Sequence, residues 1–434
     1  MRPLIHPIPY RAPVEAFAPL AADPWAVLLA SDGGPHGRWS YILTAPHSTV
    51  TVAHGAPDPW AQLQVLMPSL ALERQPEDPP FMGGIVGLAC YELAQAYEIL
   101  PQTAQQTDWP DLVVGVYLTF AAYDHDRQQA WVIAWSGMDA ATALAARLGC
   151  AQDPSGYHLT LRAEDPAVYT QGVRRVVDDI RAGEMFQANI SRAWTGTLTG
   201  DPYALFTRWR TGPAPFGAYL NFGDRIVASN SPERFLSVSA DGIVESRPIK
   251  GTRPRGDTPQ QDAAYAHDLE TSEKDRAENV MIVDLMRNDL ARVCTPGSVQ
   301  VPALCKREVY PHVQHLVSSV TGQLRAGQGV LDLMRAAFPA GSVTGAPKIR
   351  AMAAITQHEG VPRGPYCGSV LWWGLDGACD SSVLIRTAAC VKTGDVWAVT
   401  FRAGGGITAQ SDPMLELAET EVKAHGFLQN GQLV

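Results

Sequence analysis

The sequence predicts an α+β protein built on antiparallel sheet, and three observations carry that prediction. Apolar runs come in pairs around short turns, as Leu112–Tyr123 and Gln129–Trp135 do around Asp124–Arg127. Asp241-Gly242 separates the runs Arg234–Val238 and Gly242–Pro248, the strongest short hairpin signal a sequence offers. Helices with clear start signals, at Asp165-Pro166 and at Ser272, stand between the hairpins.

Composition narrows the function before any motif is read. A chain of 434 residues, 46% hydrophobic and 18% charged, has room for a large core. Its formal charge of −10, with no basic block, excludes nucleic acid as a partner, and an anionic substrate would need local cations to hold it. Seven cysteines without a Cys-x-x-Cys pair indicate reduced thiols in a cytoplasmic protein, not a disulfide framework or a zinc site. The opening Met-Arg-Pro-Leu-Ile-His-Pro lacks the apolar core of a signal peptide, and no apolar run approaches the ~20 residues of a membrane helix, so no membrane partner is expected.

In chain order, Trp25–Ala30 and Trp39–Leu43 read as short strands around a Gly-Gly-Pro turn at 33–35. Phe81–Glu92 mixes glycines with apolar residues, which suits close approach between layers. An alanine-rich helix over Ala140–Leu148 precedes the polar stretch Gly149–Gly156, a linker that divides the chain into residues 1–156 and 157–434. Asp165 caps a helix striped by Val173, Val176, Val177 and Ile180 and closed at Gly183. Met185–Thr199 is a strand carrying Gln187.

A two-residue turn at Asp241-Gly242 would set Glu233 opposite Lys250. An ordinary cross-strand ion pair gives the same pattern, but Pro232, Pro248 and Gly251 would splay this end of the hairpin, and irregular backbone around an ionisable pair suggests a site. Two acid pairs follow at helical spacing, Asp275 with Glu278 and Glu416 with Glu419. Each alone is a solvated face; together on two helices they suit a hard divalent cation. Three glycines, Gly404, Gly405 and Gly406, end a strand and offer either a turn or an anion cradle.

Pro-Ile-Lys-Gly-Thr (248–252) after Ser-Pro-Glu-Arg-Phe (231–235), with Asp-Arg-Ala-Glu-Asn (275–279), Gly-Ser-Val-Thr-Gly-Ala-Pro-Lys (341–348) and Glu-Leu-Ala-Glu-Thr (416–420), resembles the chorismate-utilising enzymes. The likeness spans nearly the whole chain and is most specific from Asp165 onward. It implies antiparallel sheets packed face to face with helices outside. Within the family, Lys250 points to the branch that aminates chorismate to aminodeoxychorismate for para-aminobenzoate and folate, because anthranilate-forming members usually carry alanine there. Gln187 stands where members that add water carry a lysine base.

The resemblance also implies roles. Glu278 and Glu419 would hold Mg²⁺, with Asp275 and Glu416 supporting through water. Arg386 would grip the pyruvyl carboxylate with its planar fork, Tyr366 and Thr344 would contact the substrate, and the glycine run would meet the ring carboxylate. Glu233 would act as general acid, Lys250 as a neutral amine nucleophile and His315 in a secondary proton role. Leu29, Ser31, Trp39 and Ser40 would edge a pocket that binds tryptophan in several members. Because the chain has no Gly-x-Cys-x-Gly turn, ammonia is expected from a separate glutamine amidotransferase subunit. The competing readings are an anthranilate-forming enzyme and a non-catalytic tryptophan sensor on the same scaffold.

Overall fold

Where the sequence predicts one long strand over Leu112–Tyr123, the chain makes two, Leu112–Tyr117 and Thr119–Asp124, which break at Leu118 and enter different sheets. The break serves two cores: Val114 and Val116 pack under helices, whereas Phe120 packs between the sheets. Two other segments cross in the same way. Arg225–Ser231 passes to Arg234–Val238 through Pro232 and Glu233, and Cys379–Ser382 passes to Thr387–Thr393 through Val383–Arg386.

The computed structural model describes residues 1–31, 33, 36–103, 105–149, 156–210, 214–310 and 313–434. Most of the expected Gly149–Gly156 linker, and Gly34 and Pro35 of the expected turn, lie outside the described residues. Among the described residues the strands form a thirteen-stranded and a ten-stranded sheet, antiparallel except where Gln432–Leu433 runs beside Tyr157–Ala163. Residues 1–156 and 157–434 interlock in both. Val27–Ala30 pairs with Phe216–Asn221 in the larger sheet, and Gly84–Ala89 pairs with Ser369–Gly374 in the smaller.

The sheets pack face to face: Leu43, Phe120 and Leu220 of the larger meet Val86, Leu88 and Val370 of the smaller. Helices cover the outer sides, with Phe206 and Phe427 buried on the larger sheet and Ile282, Met286 and Leu333 on the smaller. Each such side chain contributes about 1.5–3 kcal/mol through lost apolar exposure. The expected caps form: Asp165 accepts from the Ala167 N–H and Ser272 from that of Asp275. Asp412 caps a further helix, accepting from the N–H groups of Met414 and Leu415. The six described cysteines are buried and unpaired, and no described helix is long and apolar enough to cross a membrane.

The hairpin at Asp241-Gly242 departs from expectation in one respect that matters. Its loop has three residues: the Ser239 N–H donates to the Ile243 carbonyl and the Gly242 N–H to the Ser239 carbonyl, with Gly242 at φ +81°. The extra residue shifts the register by one, so that Ser237 pairs with Glu245. Ile249, not Lys250, therefore comes opposite Glu233, and its N–H donates to the Glu233 carboxylate at 3.5 Å.

Candidate active site

Strand Ile249–Pro254 pairs with Val313–Gln323, and the register slips between Ile249 and Thr252. Lys250 and Gly251 form that bulge, a device that re-aims side chains. Gly251 takes φ +86°, and a Cβ there would come 3.0 Å from Cβ of Asp275, so only glycine lets this strand lie against the acid-bearing helix. Lys250 is half-buried and turns inward, its Nζ donating to the Ser342 carbonyl at 2.9 Å. No ion pair within 4.0 Å joins it to an acid among the described residues, so the expected direct contact with Glu233 is absent, a consequence of the register shift. Its charge still acts on the carboxylates of Glu233, Glu278 and Glu419.

Glu233 sits in a sheet-crossing segment at 4% exposure. Burial raises its pKa, with the Ser342 hydroxyl and Lys250 opposing. Gln187 opens strand Gln187–Gly200 and is 1% exposed, and among the described residues neither its amide oxygen nor its nitrogen has a hydrogen-bond partner. The glycine run is not a turn. It lies inside strand Val396–Ile407, paired residue for residue with Asn189–Ser191. A Cβ on Gly406 would collide with the Gln187 amide and come 3.5 Å from Lys250 Nζ; one on Gly405 would come 3.1 Å from Glu416 and 3.5 Å from Glu419. The missing side chains leave room beside the lysine at Gly406 and beside the acids at Gly405.

Helices Glu273–Ala291 and Pro413–Leu428 supply the carboxylates. Lys274 Nζ lies 3.5 Å from Glu416 and 4.0 Å from Glu278, and Lys423 Nζ lies 2.7 Å from Glu419. Glu416 also accepts from Ser411 Oγ at 2.7 Å, and Asp275 is held by Arg253 at 3.1 Å. Burial raises the pKa of Glu278 against Lys250 and Lys274; at Glu419 burial is outweighed by Lys423, Lys274 and Lys250, which hold it low. Among the described residues no three His, Cys, Asp or Glu side chains are grouped to hold a metal on their own. The oxygen-only donors and the space before Gly405 fit a hard cation that keeps waters and substrate oxygens in its shell.

Arg386 lies in the other crossing segment at φ +49°, a region non-glycine residues seldom adopt. Burial lowers its pKa, and no carboxylate pairs with it within 4.0 Å among the described residues. His315 is 4% exposed, and its Nδ1 shares a 2.8 Å hydrogen bond with Thr252 Oγ1. Burial, with the Arg386 charge adding, pushes it down to about 4, so it is neutral near pH 7. Thr344 is enclosed, and its hydroxyl donates to the Ala340 carbonyl at 3.1 Å. Lys348 of the same motif bonds to Asp289 at 2.6 Å.

Tyr366 packs beneath two guanidinium groups that sequence reasoning did not single out, Arg363 and Arg402. Both pair with Glu359, at 2.7 and 2.9 Å, and all three side chains are nearly inaccessible. Burial alone would raise the Glu359 pKa, but the two arginines hold it down. Arg363 also donates to the Asn189 and Val343 carbonyls, at 2.5 and 3.1 Å, while the Glu92 carboxylate accepts from its backbone N–H at 2.7 Å. One guanidinium thus ties together the strand after Gln187 and the loop after Ser342. The run Arg363-Gly364-Pro365-Tyr366 and the Tyr91-Glu92 pair were the available signals.

Leu29 and Trp39, two of the residues expected to edge a pocket, line a cavity of about 310 Å³ between the sheets, together with Tyr41, Arg234, Trp372 and Asp380, among others. Ser31 and Ser40 do not line it. Side chains alternate along Trp39–Leu43, so Ser40 points away, accepting from the Ser31 N–H at 2.8 Å and meeting His125 Nε2 at 2.7 Å.

The chain is 37% identical to aminodeoxychorismate synthase component 1 of Salmonella typhimurium, over 99% of this chain and 98% of the relative. It is 36% identical to anthranilate synthase component 1 of Thermus thermophilus, over 96% and 94%. Among solved structures, anthranilate synthase component I from Streptococcus pneumoniae superposes with a TM-score of 0.78 at 29% identity, covering 91% of this chain and 93% of that one. Residues 26–429 match the family described as chorismate binding enzyme, and the chain belongs to that family.

Proposed function

We propose that this chain aminates chorismate with ammonia to give aminodeoxychorismate, the precursor of para-aminobenzoate and folate. The observation that carries the reading is Lys250. Its amine lies beside the Gly406 and Gln187 contact, within electrostatic reach of Glu233, Glu278 and Glu419. The full-length relatives at 36–37% identity named aminodeoxychorismate synthase component 1 support it.

In this reading Arg386, which has no carboxylate partner among the described residues, binds one substrate carboxylate and the open strand at Gly404–Gly406 receives the ring carboxylate. Neutral Lys250 attacks C2, the double bond shifts, and Glu233 delivers its proton to the departing C4 hydroxyl, which leaves as water. Ammonia then bonds to C4, the double bond returns, and the C2–nitrogen bond breaks to free the lysine. Glu278 and Glu419 would hold Mg²⁺, with Asp275 and Glu416 supporting through water; when bound, the ion neutralises the ring carboxylate and orients it. Tryptophan, as a feedback or structural ligand, is proposed for the cavity at Leu29 and Trp39.

Ammonia is largely protonated at neutral pH, so a dedicated source is useful, and the word "component" in the relatives' names supports a partner subunit. We assign that partner as a separate glutamine amidotransferase in the cytoplasm. Anthranilate formation is the second reading, favoured by the Thermus thermophilus relative at nearly equal identity. The tryptophan-sensor reading has less support, since both acid pairs and Arg386 are retained. Incubation with chorismate, ammonium and Mg²⁺ tests the choice. Accumulating aminodeoxychorismate is expected, and fluorescent anthranilate as the main product would overturn the proposal. Activity with glutamine as strong as with ammonium, in the isolated chain, would remove the partner.

A further inference from the structure

Each acid of the proposed Mg²⁺ site has a cation of the chain beside it, and these cations are not held alike. Arg253 grips Asp275 at 3.1 Å and is tied to Asp268 and to the Thr252 carbonyl as well. Lys423 pairs with Glu419 at 2.7 Å and donates to the Gly404 carbonyl at 2.7 Å, which anchors it to strand Val396–Ile407. Lys274 is different. Its Nζ lies 3.5 Å from Glu416 and 4.0 Å from Glu278, bridging one carboxylate of each acid-bearing helix, and among the described residues it has no other hydrogen-bond or ion-pair partner.

The helix itself does not favour this placement. Lys274 is the second residue of Glu273–Ala291, where free N–H groups and the helix dipole disfavour a cation. The two acids hold it there. Its side chain is 47% exposed, against 12% for Glu278 and 4% for Glu416, so the amine can turn into water without any change in the fold. A divalent ion carries twice the charge of an ammonium and bonds carboxylate oxygen directly. Two cations on one carboxylate repel, so an ion bound to Glu278 pushes the amine out.

We propose that Lys274 is a built-in competitor for the metal site: a divalent cation must displace its ammonium from Glu278 and Glu416, and that exchange sets how much Mg²⁺ the chain needs. The exchange also discriminates by charge, since a monovalent ion put in place of an ammonium adds no positive charge between the helices. The inference rests on the reading that Glu278 and Glu419 hold Mg²⁺.

The test counts free Mn²⁺, a stand-in that also suits oxygen donors, by electron paramagnetic resonance in the full chain without chorismate. Lys274→Met keeps the aliphatic stem and the helix propensity, and should tighten binding by about 5- to 10-fold. Lys392→Met removes the same charge beside Trp397, which lies seven residues along the strand from Gly404, about 23 Å at the rise of a strand. That variant should leave Kd within about twofold. A change under about twofold in Lys274→Met, a weaker Kd, or equal tightening in Lys392→Met would overturn the competition. Should Lys274→Met fail to fold, acetylation of the native chain decides, read by peptide mass spectrometry. Labelling of Lys274 relative to Lys392 should rise about twofold on adding Mg²⁺, and a constant or falling ratio contradicts displacement. Glu278→Gln separates the two claims. Native Mn²⁺ affinity in that variant sinks the metal reading itself, whereas weakened binding there, beside a Lys274→Met that binds no more tightly, sinks only the competitor.

Discussion

The cleft around Lys250 and the cavity around Trp39 lie along the same sheet-crossing segments, yet they treat their polar groups in opposite ways. In the cavity the charges are already matched: Arg234 grips Asp380 with two bonds of 3.0 and 2.9 Å and pairs with Glu245 as well. Around Lys250 they are not. Among the described residues Gln187 has no hydrogen-bond partner for either amide atom and Arg386 no carboxylate, and burial raises the pKa of Glu233 and of Glu278. Adjacent residues divide between the two, Glu233 toward the cleft and Arg234 toward the cavity. The lesson is physical: a fold satisfies its polar groups wherever it can, so a concentration of unsatisfied ones marks where a ligand's atoms complete them.

The sharpest way to break this contrast is Lys250→Ala, expected to lower amination by about a thousandfold or more while leaving the fold intact, as steady-state kinetics and circular dichroism would show. Next comes Arg363→Ala, which leaves Glu359 one counter-ion short. Loss of a buried pair costs about 3–5 kcal/mol, measurable by denaturant unfolding, and a loss under 1 kcal/mol would show that the charge network beneath the cleft is not structural. Glu233→Gln should lower kcat by about a hundredfold and remove the decline in rate as pH rises through the raised Glu233 pKa. The stability sign follows from the same shift. A carboxyl whose pKa rises on folding makes the protein less stable as pH climbs from its unfolded value through its folded one, so the stability advantage of Glu233→Gln should grow with pH. Smallest of all, Trp39→Ala should change kcat within about twofold. A large loss there would mean that the cavity and cleft act as one site.

Local signals were legible in the sequence and distant ones were not. The caps at Asp165 and Ser272 and the acid pairs at i, i+3 depend on neighbours within a turn, and they form as read. The hairpin was recognised, but whether its loop holds two residues or three depends on Ser239 bonding to Ile243, and that choice moved Lys250 by one position. The crossing at Leu118 was hidden because apolar residues continue through it, and only the division between two cores reveals it. Glu92 reaches Arg363 across 271 residues, a contact that no spacing rule reaches. Ser31 and Ser40 sit beside the cavity without lining it, and the alternation of side chains along Trp39–Leu43 accounts for Ser40.

The central claim is a transient bond between Lys250 and the substrate ring, and intact-protein mass spectrometry after mixing with chorismate and Mg²⁺, without ammonia, addresses it directly. The account predicts a mass gain equal to chorismate less one water, located on the peptide containing Lys250, lost on adding ammonium and absent from Lys250→Ala. Lys250→Ala aminating chorismate at the native rate, with no adduct on the native chain, would contradict it.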